Sequence, residues 1–181
     1  VSPMLKYAYA PDTIQYAGYT AFSPITLRNK MLGEHEKDNG QHSQPQETAS
    51  LHGAAMMVRR DVLQQVGPMT EVYFLFYEEF DWSARMHHLG YKLWYEPAAA
   101  VYHKESMTAK RGMPQREFYL SRARMIYARR NLLGIERFLS CMYILSIAAP
   151  KKAVTYLLNK KQPLAAAVFR GTFSGLISKK Q

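Results

Sequence analysis

The sequence of 181 residues contains one cysteine, Cys141, and therefore cannot form an internal disulfide framework. A single cysteine fits a reducing compartment, and because Cys141 lies in an apolar run we predict a buried thiol with no nucleophilic role. The chain does not open with a basic region followed by an apolar core, as a signal peptide would. The longest apolar stretch, residues 138–150, is shorter than the roughly 20 residues that a membrane-spanning helix needs.

Acidic residues are scarce in the second half of the chain. Residues 1–103 contain 8 Lys/Arg and 11 Asp/Glu, a net charge of −3, whereas residues 104–181 contain 16 and 3, a net charge of +13. After Arg137 the chain contains no acidic residue. A basic half of this kind is typical of proteins that bind nucleic acid, anionic lipid or phosphorylated substrates.

Apolar residues make up 48% of the chain and aromatic residues 13%, which predicts a folded domain with a core. Short β-prone pieces at the start predict strands, and the polar, turn-rich residues 29–50 predict a long loop. Residues 53–58 predict a buried strand because small residues are followed by apolar ones. Residues 61–67 predict a short helix that Gly67 ends, and residues 78–89 predict a second helix.

The remaining elements are predicted from residue periodicity and from proline and glycine. Residues 91–95 and 99–103 predict two strands joined around Pro97. A helix is expected over residues 114–133, with Gly134 as its cap. Two further helices are expected over residues 135–149 and 164–178.

An acidic cluster follows the aromatic and aliphatic residues 72–77, which are predicted to be buried. Glu78, Glu79 and Asp81 fall in the first turn of the predicted helix, where their charges suit the helix dipole. Three interpretations remain open from the residues alone. The cluster is a structural charge group in which Asp81 pairs with Arg85, or it contains a catalytic base, or it binds a divalent ion together with His103.

Three motifs occur in a specific order along the chain. They are GAAMMVRRDVLQQVG at residues 53–67, FLFYEEFDWSARMHHLGYKLWYEPAAAVYHKES at residues 74–106 and FYLSRARMIYARRN at residues 118–131. In this order they resemble the C-terminal half of the family 2 glycosyltransferases, and among these the rhamnosyltransferase-like group of inverting enzymes that use nucleotide sugars. The resemblance covers about residues 10–135.

The resemblance implies a role for each acid of the cluster. Glu79 occupies the position of the catalytic base, which is usually Asp in the family, and Glu78 and Asp81 match the flanking acids. Because Glu is one methylene longer than Asp, the choice between Glu79 and Asp81 as the base stays open.

The resemblance also implies binding roles. Gly53 and Ala54 match small residues near the donor sugar. Arg122 matches a helix arginine, for which a pyrophosphate contact and a structural ion pair are both open. His103 matches the histidine that completes a divalent metal site, for Mn²⁺ or Mg²⁺, beside the nucleotide diphosphate.

We therefore expect an α/β fold that is the C-terminal part of a GT-A (nucleotide-diphospho-sugar transferase) fold with a mixed sheet. The expected domains are residues 1–134, the acceptor-side half, and residues 135–181, a basic amphipathic helical extension. The family's Asp-x-Asp metal motif does not occur in this sequence, so we expect a fragment that lacks the nucleotide-binding half and has no turnover alone.

The expected activity is transfer of a sugar from a nucleotide-sugar donor to a hydroxyl of a glycan or lipid-linked acceptor in bacterial cell-surface polysaccharide synthesis. We expect a cytoplasmic protein, with no nucleic-acid partner and with a peripheral contact to the inner face of the membrane through its basic tail. Packing of the tail on another protein surface is the open alternative for that contact. The alternative function is a non-catalytic basic module that binds a polyanion or a membrane surface. The basic residues of the tail are Lys151, Lys152, Lys160, Lys161, Arg170, Lys179 and Lys180.

Overall fold

The computed structural model describes residues 1–104, 110 and 112–178, and Lys179 and Lys180 of the basic tail lie outside them. The chain divides into two compact units. The first contains Val1–Phe22, Asn29–Met69 and the described part of Glu79–Met107; the second contains Ser23–Arg28, Thr70–Glu78 and the described part of Thr108–Gln181. This division does not fall at residue 134, because the helix that precedes residue 134 packs with the helical tail.

A mixed β-sheet forms the centre of the first unit. Its strands are β1 (Ser2–Tyr7), β2 (Ala10–Tyr16), β3 (Gln46–Glu47) and β4 (Trp94–His103). Within the described residues they are ordered β2-β1-β4-β3, with β1 parallel to β4 and the other pairs antiparallel. The prediction of an α/β structure with a mixed sheet is therefore confirmed.

The predicted long loop is fastened to this sheet by buried tyrosines. Tyr16 and Tyr95 are fully buried in the sheet core, and their hydroxyl groups donate to the carbonyls of Ser50 at 3.0 Å and His42 at 2.9 Å. Burial raises the pKa of Tyr16 to about 12, so its hydroxyl stays protonated and remains a donor. The loop thus satisfies polar groups that the core would otherwise bury unpaired.

Strand β4 is continuous, so the prediction of two separate strands around Pro97 is wrong. Pairing with β1 is irregular there: Pro3 faces Glu96, and the next residue of β1, Met4, faces Ala100. The irregularity falls at Pro97, which has no N–H to give to the ladder. The strand continues because pairing resumes beyond it and brings His103 to the end of β4.

The prediction of a buried strand over residues 53–58 is also wrong. Gly53 and Ala54 form an exposed turn, and Met57 is 77% exposed. Reciprocal bonds of 2.8 Å between the backbone of Met57 and the N-terminal residue Val1 hold the end of this segment. The small residues therefore serve a tight turn rather than a buried strand.

Two helices pack together in the first unit. They are α1 (Arg60–Val66), which Gly67 ends with a φ of 74°, and α2 (Glu78–His88). Both helices and the Gly67 cap agree with the sequence prediction. Their shared core consists of Leu51, Val62, Val66, Trp82, Met86 and Leu93.

The second unit is helical. Its helices are α3 (Pro114–Asn131), α4 (Gly134–Tyr143), α5 (Ala149–Leu158) and α6 (Gln162–Ile177), and a π-helical segment, Ile144–Ala148, joins α4 to α5. Gly134 begins α4 and does not cap α3. Within the described residues no helix is both long and apolar enough to cross a membrane. Cys141 is free and only partly buried, so the prediction of a buried thiol is only partly right.

The chain remains helical through Pro150, where the sequence predicted a break. Pro150 is the second residue of α5, which begins where the π-helical segment ends. A proline inside an α-helix removes one hydrogen bond and crowds the preceding turn. The wider π-turn accommodates this change without ending the helix.

The aromatic and aliphatic residues 72–77 of the second unit are mostly only partly buried, although we predicted that they are buried. Tyr73 is fully buried, but Phe74 is 72% exposed. Phe74, Phe76 and Tyr77 have positive φ values of 65°, 66° and 70°. This backbone cannot present its side chains to one face as a helix or strand does, and so exposes some of them.

Helices α3 and α6 approach each other closely at two glycines. A Cβ atom at Gly171 would lie 2.2 Å from the carbonyl oxygen of Phe118. At Gly175 it would lie 2.5 Å from the carbonyl oxygen of Arg122 and 2.9 Å from the Met125 Cβ. The four-residue spacing places both glycines on one face of α6, so the two backbones pack without intervening side chains.

Candidate functional site

The turn that contains Gly53 is bound to the start of strand β1. The Ala55 N–H donates to the His52 carbonyl at 3.1 Å, which closes the turn. Ser2 is fully buried. Its hydroxyl accepts a hydrogen bond from the His52 N–H at 2.9 Å and donates one to the Ala55 carbonyl at 2.9 Å. One serine side chain thus fixes both ends of the turn.

Helix α2 holds the same turn from its other flank. The Leu51 N–H donates to the buried hydroxyl of Ser83 at 3.1 Å. This bond brings the turn against the first part of α2, where a Cβ at Gly53 would lie 3.7–3.8 Å from the side chain of Glu79. Gly53 is exposed, so a methyl group there would make only ordinary van der Waals contact with Glu79.

Aromatic rings surround this part of the first unit. The Tyr19 ring lies 5.0 Å from Phe80 and 6.1 Å from the parallel ring of His52, measured between centroids. Burial, and then the nearby charge of Glu79, raise the pKa of Tyr19 above its ordinary value. Tyr19 therefore remains a neutral hydroxyl close to the partly buried Glu79 carboxylate.

His103, at the end of β4, is held in one orientation. Its Nδ1 lies 2.9 Å from the side-chain oxygen of Gln15, a buried residue of β2. An amide oxygen only accepts, so Nδ1 carries the proton and Nε2 presents its lone pair. A hydrogen bond of this kind at Nδ1 is typical of histidines that bind metal through Nε2.

His52 links the turn to His103, and the sequence analysis did not identify it. Its Nδ1 accepts the Ala54 N–H at 3.1 Å, so its proton is on Nε2. Its ring lies 6.1 Å from that of His103. Burial, together with the repulsion that a protonated His103 would exert, lowers the pKa of His52 to about 4. His52 is therefore neutral at neutral pH.

Asp81 and Glu79 have different surroundings although they are two residues apart. Asp81 is 1% exposed and lies 3.2 Å from Arg85 one turn later in α2, as the structural interpretation predicted. The Arg85 guanidinium also donates to the carbonyls of Val66 at 2.9 Å and Pro68 at 2.7 Å. Asp81 therefore helps to fix α2 and is not accessible to a substrate hydroxyl.

Two predicted site residues remain, Glu78 and Arg122. Glu78 is the first residue of α2 and is partly buried. Arg122 belongs to α3 in the second unit, where its guanidinium donates to the carbonyls of Val72 at 2.5 Å and Tyr73 at 3.3 Å. The local role of Arg122 is to hold the aromatic segment by carbonyl contacts, a third possibility that neither sequence interpretation included.

Of the side chains described above, that of His103 is suited to bind a divalent metal ion. With its proton on Nδ1, His103 carries the lone pair that a metal ligand needs on Nε2, and the bond to Gln15 fixes its direction. Across residues 1–104, 110 and 112–178, no group of three His, Cys, Asp or Glu side chains could hold an ion. The described residues can therefore supply His103 to such a site, with further ligands coming from elsewhere, such as a diphosphate.

Comparisons of the chain with known protein families, with curated proteins and with solved structures find no match.

Proposed function

We propose that this chain is the acceptor-side part of an inverting glycosyltransferase with a GT-A type fold, in which Glu79 is the catalytic base. The motif order at residues 53–67, 74–106 and 118–131 supports the class of enzyme. The carrying observation is the exposed turn at Gly53 that lies beside the partly buried Glu79 side chain, in the same unit as His52 and His103. A carboxylate at such a turn can serve as a general base, and a histidine of fixed orientation can bind a metal ion.

Glu79 takes the proton of the acceptor hydroxyl in the proposed reaction. As the hydroxyl oxygen forms its bond to the anomeric carbon, the bond from that carbon to the diphosphate oxygen breaks. The nucleoside diphosphate leaves with the electron pair of the broken bond, and the configuration at the anomeric carbon inverts. General-base catalysis of this kind contributes roughly 10²–10⁴-fold to a rate.

The surroundings of the two candidate acids favour Glu79 over Asp81 for this role. Asp81 is buried and ion-paired with Arg85, whereas Glu79 is only partly buried and lies beside the exposed Gly53. A base must come within hydrogen-bond distance of the proton that it removes. We assign Asp81 to positioning α2, and thereby Glu79.

His103 is the residue proposed to bind Mn²⁺ or Mg²⁺ beside the donor diphosphate. A divalent ion bound there would neutralise the charge that develops on the leaving diphosphate. Gln15 fixes the His103 ring, so that Nε2 can bind the ion without reorientation of the ring. The donor is a nucleotide sugar, and the acceptor is a glycan or a lipid-linked sugar.

The test measures sugar transfer and donor hydrolysis by the product of the complete reading frame that contains this chain. A panel of nucleotide sugars is assayed with Mn²⁺ or Mg²⁺ for the wild type, Glu79→Gln and Asp81→Asn. We expect Glu79→Gln to bind donor normally and to lose at least about 10²-fold in kcat. Asp81→Asn should mainly lower the free energy of unfolding, with a smaller effect on the kcat of the protein that remains folded.

Two results would contradict the proposal. Full activity of Glu79→Gln would remove Glu79 as the base. Absence of donor binding with either metal would argue against a transferase and favour the alternative function, a non-catalytic basic module. Isothermal titration of the donor distinguishes these results, because it measures binding without catalysis.

A further inference from the structure

Helix α4 is amphipathic, and its apolar side faces solvent. Ile135, Phe138, Leu139 and Met142 follow the i, i+3, i+4, i+7 spacing of one helix face, and each is 40–66% exposed. Ser140, on the opposite side of the helix, is fully buried. Surface helices of globular proteins normally have the reverse orientation, with the apolar stripe toward the core.

Helix α6 is apolar on both of its sides. The side toward its neighbours is buried and includes Gly171 and Gly175. On the outer side Phe169, Phe173 and Ile177 are 50–66% exposed. Its single charged residue, Arg170, is also exposed. Helices that are apolar all round occur inside large proteins or in contact with lipid.

The turn between α5 and α6 combines exposed leucines with lysines. Leu157 is 49% exposed and Leu158 is 80% exposed. Lys160 and Lys161 follow them, and both are exposed. Backbone bonds from the N–H groups of these lysines to the carbonyls of Leu157 at 2.9 Å and Tyr156 at 2.8 Å hold the turn in shape.

Most of the exposed charges around these apolar surfaces are positive, and Glu136 in the first turn of α4 is an exposed acid among them. Lys152 pairs with Glu117 at 2.5 Å, but Lys151, Lys160, Lys161 and Arg170 are exposed, and no acid follows Arg137 in the chain. A second copy of the chain would bring like charges together if it bound through the same surface. An anionic lipid surface complements both the cations and the exposed apolar side chains.

We propose that the outer faces of α4 and α6, together with the α5–α6 turn, bind the surface of an anionic lipid bilayer. Large apolar patches on a protein surface mark such interaction sites. Phenylalanine and leucine side chains enter the boundary between headgroups and acyl chains, while the lysines and Arg170 contact anionic headgroups. This inference rests on the second unit alone and does not depend on glycosyl transfer.

Co-sedimentation of the full chain with vesicles tests the proposal. One vesicle type contains phosphatidylglycerol and phosphatidylcholine, and the other contains phosphatidylcholine only. We expect the wild type to bind the anionic vesicles and to be released by salt. Lys160→Gln/Lys161→Gln should weaken partition roughly 25-fold, since each basic residue near an anionic surface contributes about fivefold.

Two further variants separate apolar contact from charge. Phe138→Ser/Met142→Ser keeps every charge and should weaken partition at least about tenfold. Met57→Ser is the matched control, because Met57 is more exposed than Phe138 and Met142 but belongs to the first unit. Its binding should equal that of the wild type. All these side chains are exposed, so circular dichroism should show unchanged folding.

Three outcomes would overturn the proposal. The first is no binding of the wild type to anionic vesicles, and the second is an equal loss for the Met57→Ser control. The third is a wild-type dimer in sedimentation velocity that Phe138→Ser/Met142→Ser dissociates, without vesicle binding, which would identify the face as a protein interface. A loss of transfer in Glu79→Gln with unchanged vesicle binding would leave the proposal intact.

Discussion

Replacing Gly171 by alanine should destabilise the second unit, although alanine is the better helix former. A Cβ at this position would lie 2.2 Å from the Phe118 carbonyl oxygen, so α3 and α6 must move apart. Overpacking of this kind costs about 1–3 kcal/mol, and a contact with a rigid backbone atom favours the upper end. The helix propensity of alanine offsets about 1 kcal/mol. We expect a net loss of about 2 kcal/mol in the free energy of unfolding.

Urea denaturation measures this loss. Tryptophan fluorescence and circular dichroism serve as two separate probes of unfolding. Its two tryptophans, Trp82 and Trp94, belong to the first unit, whereas most helical circular dichroism comes from the second. With a denaturant slope of about 1–3 kcal/mol per molar, the circular dichroism midpoint should fall by roughly 1 M for Gly171→Ala.

Ala166→Leu is the control for this experiment. It adds more atoms than Gly171→Ala, but on the exposed side of α6, so its effect should stay within about 0.5 kcal/mol. If Gly171→Ala were neutral, or if it stabilised the protein by the amount that helix propensity predicts, the close approach of α3 and α6 would be refuted.

Three further predictions concern the first unit. Asp81→Asn should cost about 2 kcal/mol in urea denaturation because it leaves Arg85 without its buried partner; a variant as stable as the wild type would contradict the ion pair. The lowered pKa of His52 predicts that stability falls as pH drops from 6.5 toward 4, since only the unfolded histidine binds a proton there. Between pH 7 and 4.5 the wild type should lose roughly 2–3 kcal/mol more than His52→Gln, and equal losses would refute the shift. Gly53→Val should crowd the surface beside Glu79 and lower kcat/KM at least about tenfold with little loss of stability, whereas Gly53→Ala meets only ordinary contacts. Full activity of Gly53→Val would show that substrates do not use this surface.

Local patterns in the sequence were sufficient to predict several elements. The four-residue spacing of Asp81 and Arg85 indicated their ion pair as one of three open interpretations, and Gly67 predicted the end of α1, because both depend on neighbours within one helical turn. The orientation of apolar faces was harder to predict. The stripe that contains Phe138 has the periodicity of a core-facing helix, but it faces solvent, since periodicity defines a face and not its surroundings.

The arrangement around His103 could not be derived from spacing, because its partners are distant in sequence. Gln15 and His103 are 88 residues apart, and Ser2 and His52 are 50 residues apart. Contacts of this range depend on which strands become neighbours. One available signal was Gln15 itself, a polar residue in an otherwise apolar end of a strand, which indicates a buried hydrogen-bond partner.

The anchoring of the turn at residues 52–55 affects the thermodynamics of any ligand that binds there. Ser2 and Ser83 already order this backbone in the folded chain. The loss of conformational entropy therefore occurs during folding and not during association. A ligand at Gly53 should bind a preorganised surface, and Ser2→Ala should weaken its affinity mainly through a less favourable binding entropy.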